Sequence, residues 1–203
     1  MSRVVAWLDD MLKTLSVSRS NYWLSYALDV VVPLLLVFAG SRHASTFASA
    51  AASVAAGIFA FTLIEYAVHR WLFHWNVTFM VRIHAVHHRT PNELAALPFF
   101  SAPGALFLLW LLFTALLGEP IGSYFVAGIA AGYVWYAVLH HLEHSEWIHR
   151  PALRWLRKRY GMHVVHHRHD DRNFGVTTSF WDHVFGTYYL TSKVRSQVEP
   201  VAE

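Results

Sequence analysis

The stretch Ser45–His74 reads STFASAAASVAAGIFAFTLIEYAVHRWLFH. From Ser45 to Ile64 it is uncharged and built of Ala and other small or apolar residues. Twenty such residues at about 1.5 Å each cover the roughly 30 Å hydrocarbon core of a bilayer. Their small side chains also suit close helix contacts. Glu65, His69, Arg70 and His74 then follow within ten residues. A span that hands over directly to histidines sets the reading of the rest of the chain.

Working outward, three more apolar runs appear. Trp23 to Ala39 is the first, interrupted by Asp29, an acid costly to bury in a span and hence a functional hint unless hydrated near the interface. Leu97 to Leu117 is the third, and Pro98 and Pro103 near its start suggest a kinked or re-entrant beginning. Ile121 to Leu139 is the fourth, reached through the tight turn Gly118-Glu119-Pro120. Residues 1–22 place Val4, Val5, Leu8, Met11, Leu12 and Leu15 at helical spacing, which predicts an amphipathic helix lying on the membrane.

Composition agrees. Hydrophobic residues make up 55% and charged residues 14%, with a mean hydropathy of +0.32, too little charge to cover a soluble surface. The 9 Trp, 9 Tyr and 14 Phe are of the type that collects at membrane interfaces. The fold class expected is an all-α integral membrane protein with four transmembrane helices and a cytoplasmic histidine-rich helical cap. It forms a single domain over residues 1–203. No cleavable signal is read, because the first apolar run begins near Trp23.

The chain has no cysteine, which excludes disulfides, thiolate zinc sites, iron–sulfur clusters and a cysteine nucleophile. A net charge of +3 could suggest nucleic acid, but in so apolar a chain it marks a membrane face. Arg3, Lys13 and Arg19 precede the first span. Arg70, Arg82 and Arg89 follow the second, and Arg150, Arg154, Arg157, Lys158 and Arg159 follow the fourth. The opposite loops carry Arg42 and Glu119. The positive-inside rule therefore predicts both termini and both histidine-rich stretches in the cytoplasm.

Ten of the 15 histidines fall into four groups: His69 with His74, His84 with His87 and His88, His140 with His144, and His163 with His166 and His167. Residues three or four apart on a helix share a face, so members of HxxHH and HxxxH can converge on one ion. The five-residue step from His69 to His74 fits one ion poorly on a regular helix; it serves two ions or needs a local distortion. A lone histidine beside a membrane is more often an interfacial polar residue. Ten on one predicted face would repel one another if protonated and have little structural use if neutral. They point instead to two transition-metal ions. His43, His141, His149, His169 and His183 stand outside the pattern, although His141 could replace His140 as a ligand. Haem would need facing pairs within the membrane, and a transporter would need ligands across its midplane.

The order HxxxxH, HxxHH, HxxxH, HxxHH resembles the fatty acid hydroxylase superfamily of integral-membrane di-iron enzymes, which includes sterol desaturases and methyl oxidases. The segment EYAVHRWLFH (Glu65–His74) is similar to the first box of that family. FGVTTSFWDHVFGTY (Phe174–Tyr188) is similar to its closing motif. The resemblance runs from about Glu65 to Tyr189, and the end motifs look most like fatty acid 2-hydroxylases. It implies an O2-dependent lipid monooxygenase, with the ten histidines as ligands to two iron ions. Zinc, which is redox-silent, could replace iron in an expressed sample. A cytochrome b5 segment is not read, so electrons are expected from a separate donor such as cytochrome b5 or ferredoxin with its reductase. Glu65, Asp182 and Glu143 are the carboxylates expected to orient the imidazoles, Glu65 being otherwise an ordinary helix-end acid. The basic run Arg154–Arg159 could dock that donor or contact lipid headgroups. Competing functions are sterol or carotenoid oxidation or desaturation, and a non-catalytic metal-binding membrane protein.

Overall fold

The computed structural model describes residues 3–75, 79–91 and 93–191, with the side chains of residues 3–6 and 9 undescribed. Val4 and Val5 of the amphipathic stripe and both chain ends therefore lie outside the described side chains or residues. All regular structure among the described residues is helical. The helices are α1 (Arg3–Ser16), α2 (Arg19–Ser41), α3 (Phe47–Ala67), α4 (Phe79–Arg89), α5 (Ser101–Leu117), α6 (Ile121–Glu143), α7 (Arg157–Arg168) and α8 (Phe180–Val184). A π-helical turn, Val68–Phe73, continues α3, and two 3-10 helices, Glu146–His149 and Pro151–Leu156, precede α7.

Among the described residues, three stretches are long and apolar enough to cross a membrane: Arg19–Ser41, Phe47–Phe73 and Ile121–Glu143. The chain is an integral membrane protein. Their outward side chains are large and apolar, as with Leu34 at 65% and Phe38 at 62% exposed. Lipid is the solvent in which such a surface is stable. The expected span Leu97–Leu117 is shorter in the structure. Helix α5 begins only at Ser101 and has 17 residues, so it reaches about 25 Å rather than the roughly 30 Å of a hydrocarbon core. The cause is local. Ser101 N–H closes a turn onto the Pro98 carbonyl, and Phe99 N–H is taken by the Asn21 side chain at 2.8 Å.

The residues divide into two compact units, one of Met1–Phe61 with Arg82–Trp135, the other of Thr62–Val81 with the chain from Tyr136 on. In the first, buried Asn21 fastens the start of α2 to the segment before α5, donating to Leu97 O at 3.0 Å as well as accepting from Phe99. Helices α3 and α6 meet there at backbone distance. A Cβ on Gly57 would fall 2.0 Å from Phe125 O, and one on Gly128 would fall 2.1 Å from Val54 O. Asp29 is buried in α2. On α1, Trp7, Leu8 and Met11 are exposed, as suits a helix resting on an interface.

The second unit closes over a core of Leu139, Ile148, Leu156 and Val176, against which Tyr136, Leu142, Leu153 and Tyr160 pack. This core ties the end of α6, both 3-10 helices and the loop before α8 into one body. That body positions seven of the ten expected histidines.

Candidate metal centre

The π-helical turn resolves the awkward spacing of His69 and His74. In a π-helix the backbone bond runs from i to i+5, so residues five apart are brought toward one face. The two rings lie 5.3 Å apart, centroid to centroid. On α6 an ordinary helix does the same for His140 and His144, at i and i+4 and 4.8 Å apart.

Helix α7 joins these pairs into two groups. His166 turns to the first, with its Nε2 3.2 Å from that of His74 and its ring 4.4 Å from that of His69. One nitrogen from each of His69, His74 and His166 lies within 4.8 Å of the others. His163 turns to the second, with its Nε2 2.7 Å from that of His144, and His167 follows at 3.1 Å from His163. His140 belongs to this group, its nitrogen within 4.8 Å of those of His144 and His163. The rings of His163 and His166 are 6.1 Å apart, so α7 holds the groups side by side. In the first unit, α4 brings His84 and His88 together with their Nε2 atoms 3.0 Å apart, and His87 is buried.

The outward ring nitrogens show which atoms are available to a metal. His69 Nδ1 is 2.6 Å from the Phe174 carbonyl, and His166 Nδ1 is 2.7 Å from the Arg172 carbonyl. A carbonyl only accepts, so both Nδ1 atoms carry the proton and both Nε2 atoms present a lone pair. In both groups inward ring nitrogens approach to about 3 Å, a spacing at which a cation can be shared by their lone pairs. The donor set therefore fits a metal in each group. Burial, reinforced by His140, His144, His167 and His166, holds the His163 imidazole well below its ordinary pKa and thus neutral, the form a metal requires.

The carboxylates act mainly through the loop. Asp182, fully buried, accepts from Phe174 N–H at 2.8 Å, Gly175 N–H at 3.0 Å and Thr187 Oγ1 at 2.7 Å. It grips the peptide whose carbonyl orients His69. Burial pushes its pKa up against the opposing pull of those bonds. Glu65 accepts from the N–H groups of Val176 and Thr177 and from the Thr177 hydroxyl, so it too fastens the loop rather than an imidazole. Glu143 stands beside one of the grouped histidines, 3.7 Å from His163 Nδ1, and its carboxylate has no hydrogen bond among the described residues.

Several further residues hold the loop, and of these Asn173 was not singled out in the sequence. Asn173, at a φ of 51°, donates to Tyr189 O and accepts from Tyr189 N–H, which clamps the loop shut. Thr187 hydrogen-bonds Tyr66 at 2.9 Å, and Arg159 donates to Val176 O at 2.9 Å. Gly175 is required because a Cβ there would fall 2.0 Å from Thr178 O. A groove of about 370 Å³ opens beside His74, walled by Trp71, Trp75, Phe174, Arg70, Asp170 and Asp171. The histidines outside the groups have other roles: His149, His169 and His183 pack on Tyr160, Tyr189 and Tyr188, and His43 is exposed.

The fatty acid hydroxylase family matches the chain over residues 54–187. A dihydroceramide fatty acyl 2-hydroxylase of Arabidopsis thaliana is 31% identical over 179 residues, covering 84% of this chain and 74% of the plant protein. The human fatty acid 2-hydroxylase is 32% identical over 142 residues, 64% of this chain and 38% of its own length. Among solved structures, that of full-length scs7p, in which only the hydroxylase domain is visible, aligns with a TM-score of 0.71 at 28% identity. It covers 84% of this chain and 69% of that one.

Proposed function

This chain belongs to the fatty acid hydroxylase family, and we propose that it is a membrane di-iron oxygenase that hydroxylates fatty acyl chains of lipids beside the carbonyl carbon. The observation that carries the reading is the pair of histidine groups held side by side by α7, with ring nitrogens crowded inward in both and, in the first, the Nδ1 atoms of His69 and His166 tied to carbonyls. His69, His74 and His166 are the proposed ligands of one group, and His140, His144, His163 and His167 those of the other. His84, His87 and His88 complete the set of ten, as the family resemblance implies.

Iron is the proposed metal because redox-silent zinc cannot activate O2, although zinc can occupy the same nitrogens. Two bound irons would supply the reduction of O2 needed to insert oxygen into an unactivated C–H bond. The chain's own part is positional. Arg172 and Phe174 fix the imidazole tautomers, Asp182 and Glu65 hold the loop that does so, and Glu143 stands beside His163. Electrons come from a separate donor such as cytochrome b5 or ferredoxin with its reductase. The proposed topology counts α5 as a fourth, shorter span in one domain, with both termini and the histidines on the cytoplasmic side.

The test is mass spectrometry of lipids from cells expressing the wild type or the His166→Ala, His167→Ala variant, with iron, O2 and a reductase supplied. Lipids with one added oxygen, placed at carbon 2 by fragmentation, should appear with the wild type alone. Oxidised sterols or carotenoids, or new double bonds, would assign the other reactions of the superfamily. Identical lipid profiles would leave a non-catalytic metal role.

A further inference from the structure

On leaving α6 at Glu143, the chain turns through the two 3-10 helices before α7 begins at Arg157. Ile148 and Leu156 point inward, 2% and 0% exposed, and root this segment in the core of its unit. The outer residues are of two kinds. Trp147 and Trp155 are 56% and 59% exposed, although indole gains little from water. Arg150, Arg154, Arg157 and Lys158 are exposed as well, and none forms an ion pair among the described residues. Arg150 lies over Trp147 at 4.3 Å. Arg159, the next cation along, is different, because it is half-buried and spent on the Val176 carbonyl.

A run of charge turned to water explains neither the exposed indoles nor the inward turn of Arg159. Indole rings and long cationic side chains suit the boundary where hydrocarbon gives way to anionic headgroups. Connectivity places them there. The span Ile121–Glu143 ends four residues before Trp147, so the segment emerges where that span leaves the hydrocarbon. An acidic protein would complement the cations but would leave the two indoles unexplained.

We infer that Trp147–Lys158 is an anchor on anionic lipid headgroups, with Trp147 and Trp155 seated at the interface and Arg150, Arg154, Arg157 and Lys158 paired with phosphate. The inference rests on the span and the surface and not on the reaction, so its test needs no turnover. The full chain is placed in nanodiscs of phosphatidylcholine, with or without added phosphatidylglycerol, and hydrogen–deuterium exchange is followed over residues 146–158. Exchange should be severalfold slower in the anionic discs. The difference should vanish at high salt and in an Arg150→Ala, Arg154→Ala, Arg157→Ala, Lys158→Ala variant whose α7 exchanges as in the wild type. Equal exchange of the wild-type protein in both discs would overturn the inference. So would protection that appears only when a soluble acidic electron carrier is added, which would make this a protein-docking surface.

Discussion

His69 Nδ1 lies 2.6 Å from the carbonyl oxygen of Phe174, 105 residues further along the chain. One bond thus couples the first histidine box to the closing motif. It also fixes which nitrogen of His69 faces the site. The carbonyl is held in turn by the grip of Asp182 on the neighbouring N–H groups.

Replacing Asp182 by Ala should therefore act on the metal site without touching a ligand. It leaves two backbone N–H groups and the Thr187 hydroxyl without their acceptor, at a cost of about 1–3 kcal/mol each. The expected outcome is a lower Tm in detergent and a lower metal content per chain. A variant that folds and retains metal as the wild type does would show that the loop does not orient His69.

Metal content should also separate the two histidine groups. His166→Ala removes a nitrogen from the group of His69 and His74 and leaves His140, His144 and His163 intact. Plasma mass spectrometry should find that this variant loses part of its metal and keeps the rest. His183→Ala, outside both groups with its ring stacked on Tyr188, should lose none. Complete loss with His166→Ala would mean that the groups fill only together.

Close packing of α3 on α6 predicts a contrast among glycines. Gly128→Ala would drive a methyl to 2.1 Å from Val54 O, and a main-chain atom yields only by parting the helices. We expect a loss of about 1–3 kcal/mol or more, seen as earlier thermal aggregation in detergent. Gly104→Ala meets nothing within 4 Å and should be neutral or slightly stabilising. Equal behaviour of the two variants would contradict the packing.

Acid should destabilise the metal-stripped protein through His163. Its folded pKa lies below the ordinary value of 6.5, so below that pH the unfolded chain binds a proton that the folded chain refuses. The contribution to stability is in place above about pH 6.5 and is lost as pH falls toward the folded pKa. Melting temperatures recorded at pH 7.5 and pH 5.5 should differ more in the wild type than in His163→Gln. A variant as acid-sensitive as the wild type would place the effect elsewhere.

Periodicity and spacing make much of this legible in the sequence. Uninterrupted apolar length reveals the spans Ser45–Ile64 and Ile121–Leu139, which the structure extends to Phe73 and Glu143, and the i, i+4 rule pairs His140 with His144. Groups that act through their backbone are harder to read. Every residue carries a carbonyl, so nothing in the letters for Phe174 or Arg172 marks them as histidine acceptors. Glu65 reads as a partner for nearby His69, yet its bonds go to Val176 and Thr177, which only the tertiary fold brings close. The length of α5 is likewise set from afar, by the Asn21 side chain taking Phe99 N–H.

The π-helical turn Val68–Phe73 makes chain length itself part of the first box. With one residue fewer between His69 and His74, the wide turn could relax into ordinary helix, and the pair would take the HxxxH spacing of His140 and His144. The two boxes are thus alternative solutions in phase: one carries an inserted residue as a permanent bulge, the other runs in step. Side-chain exchange at Arg70, Trp71, Leu72 or Phe73 preserves that phase, whereas a single deletion resets the rotation of everything beyond it. In mutational scans this short stretch should therefore stand out less for which letters it accepts than for refusing any change in their number.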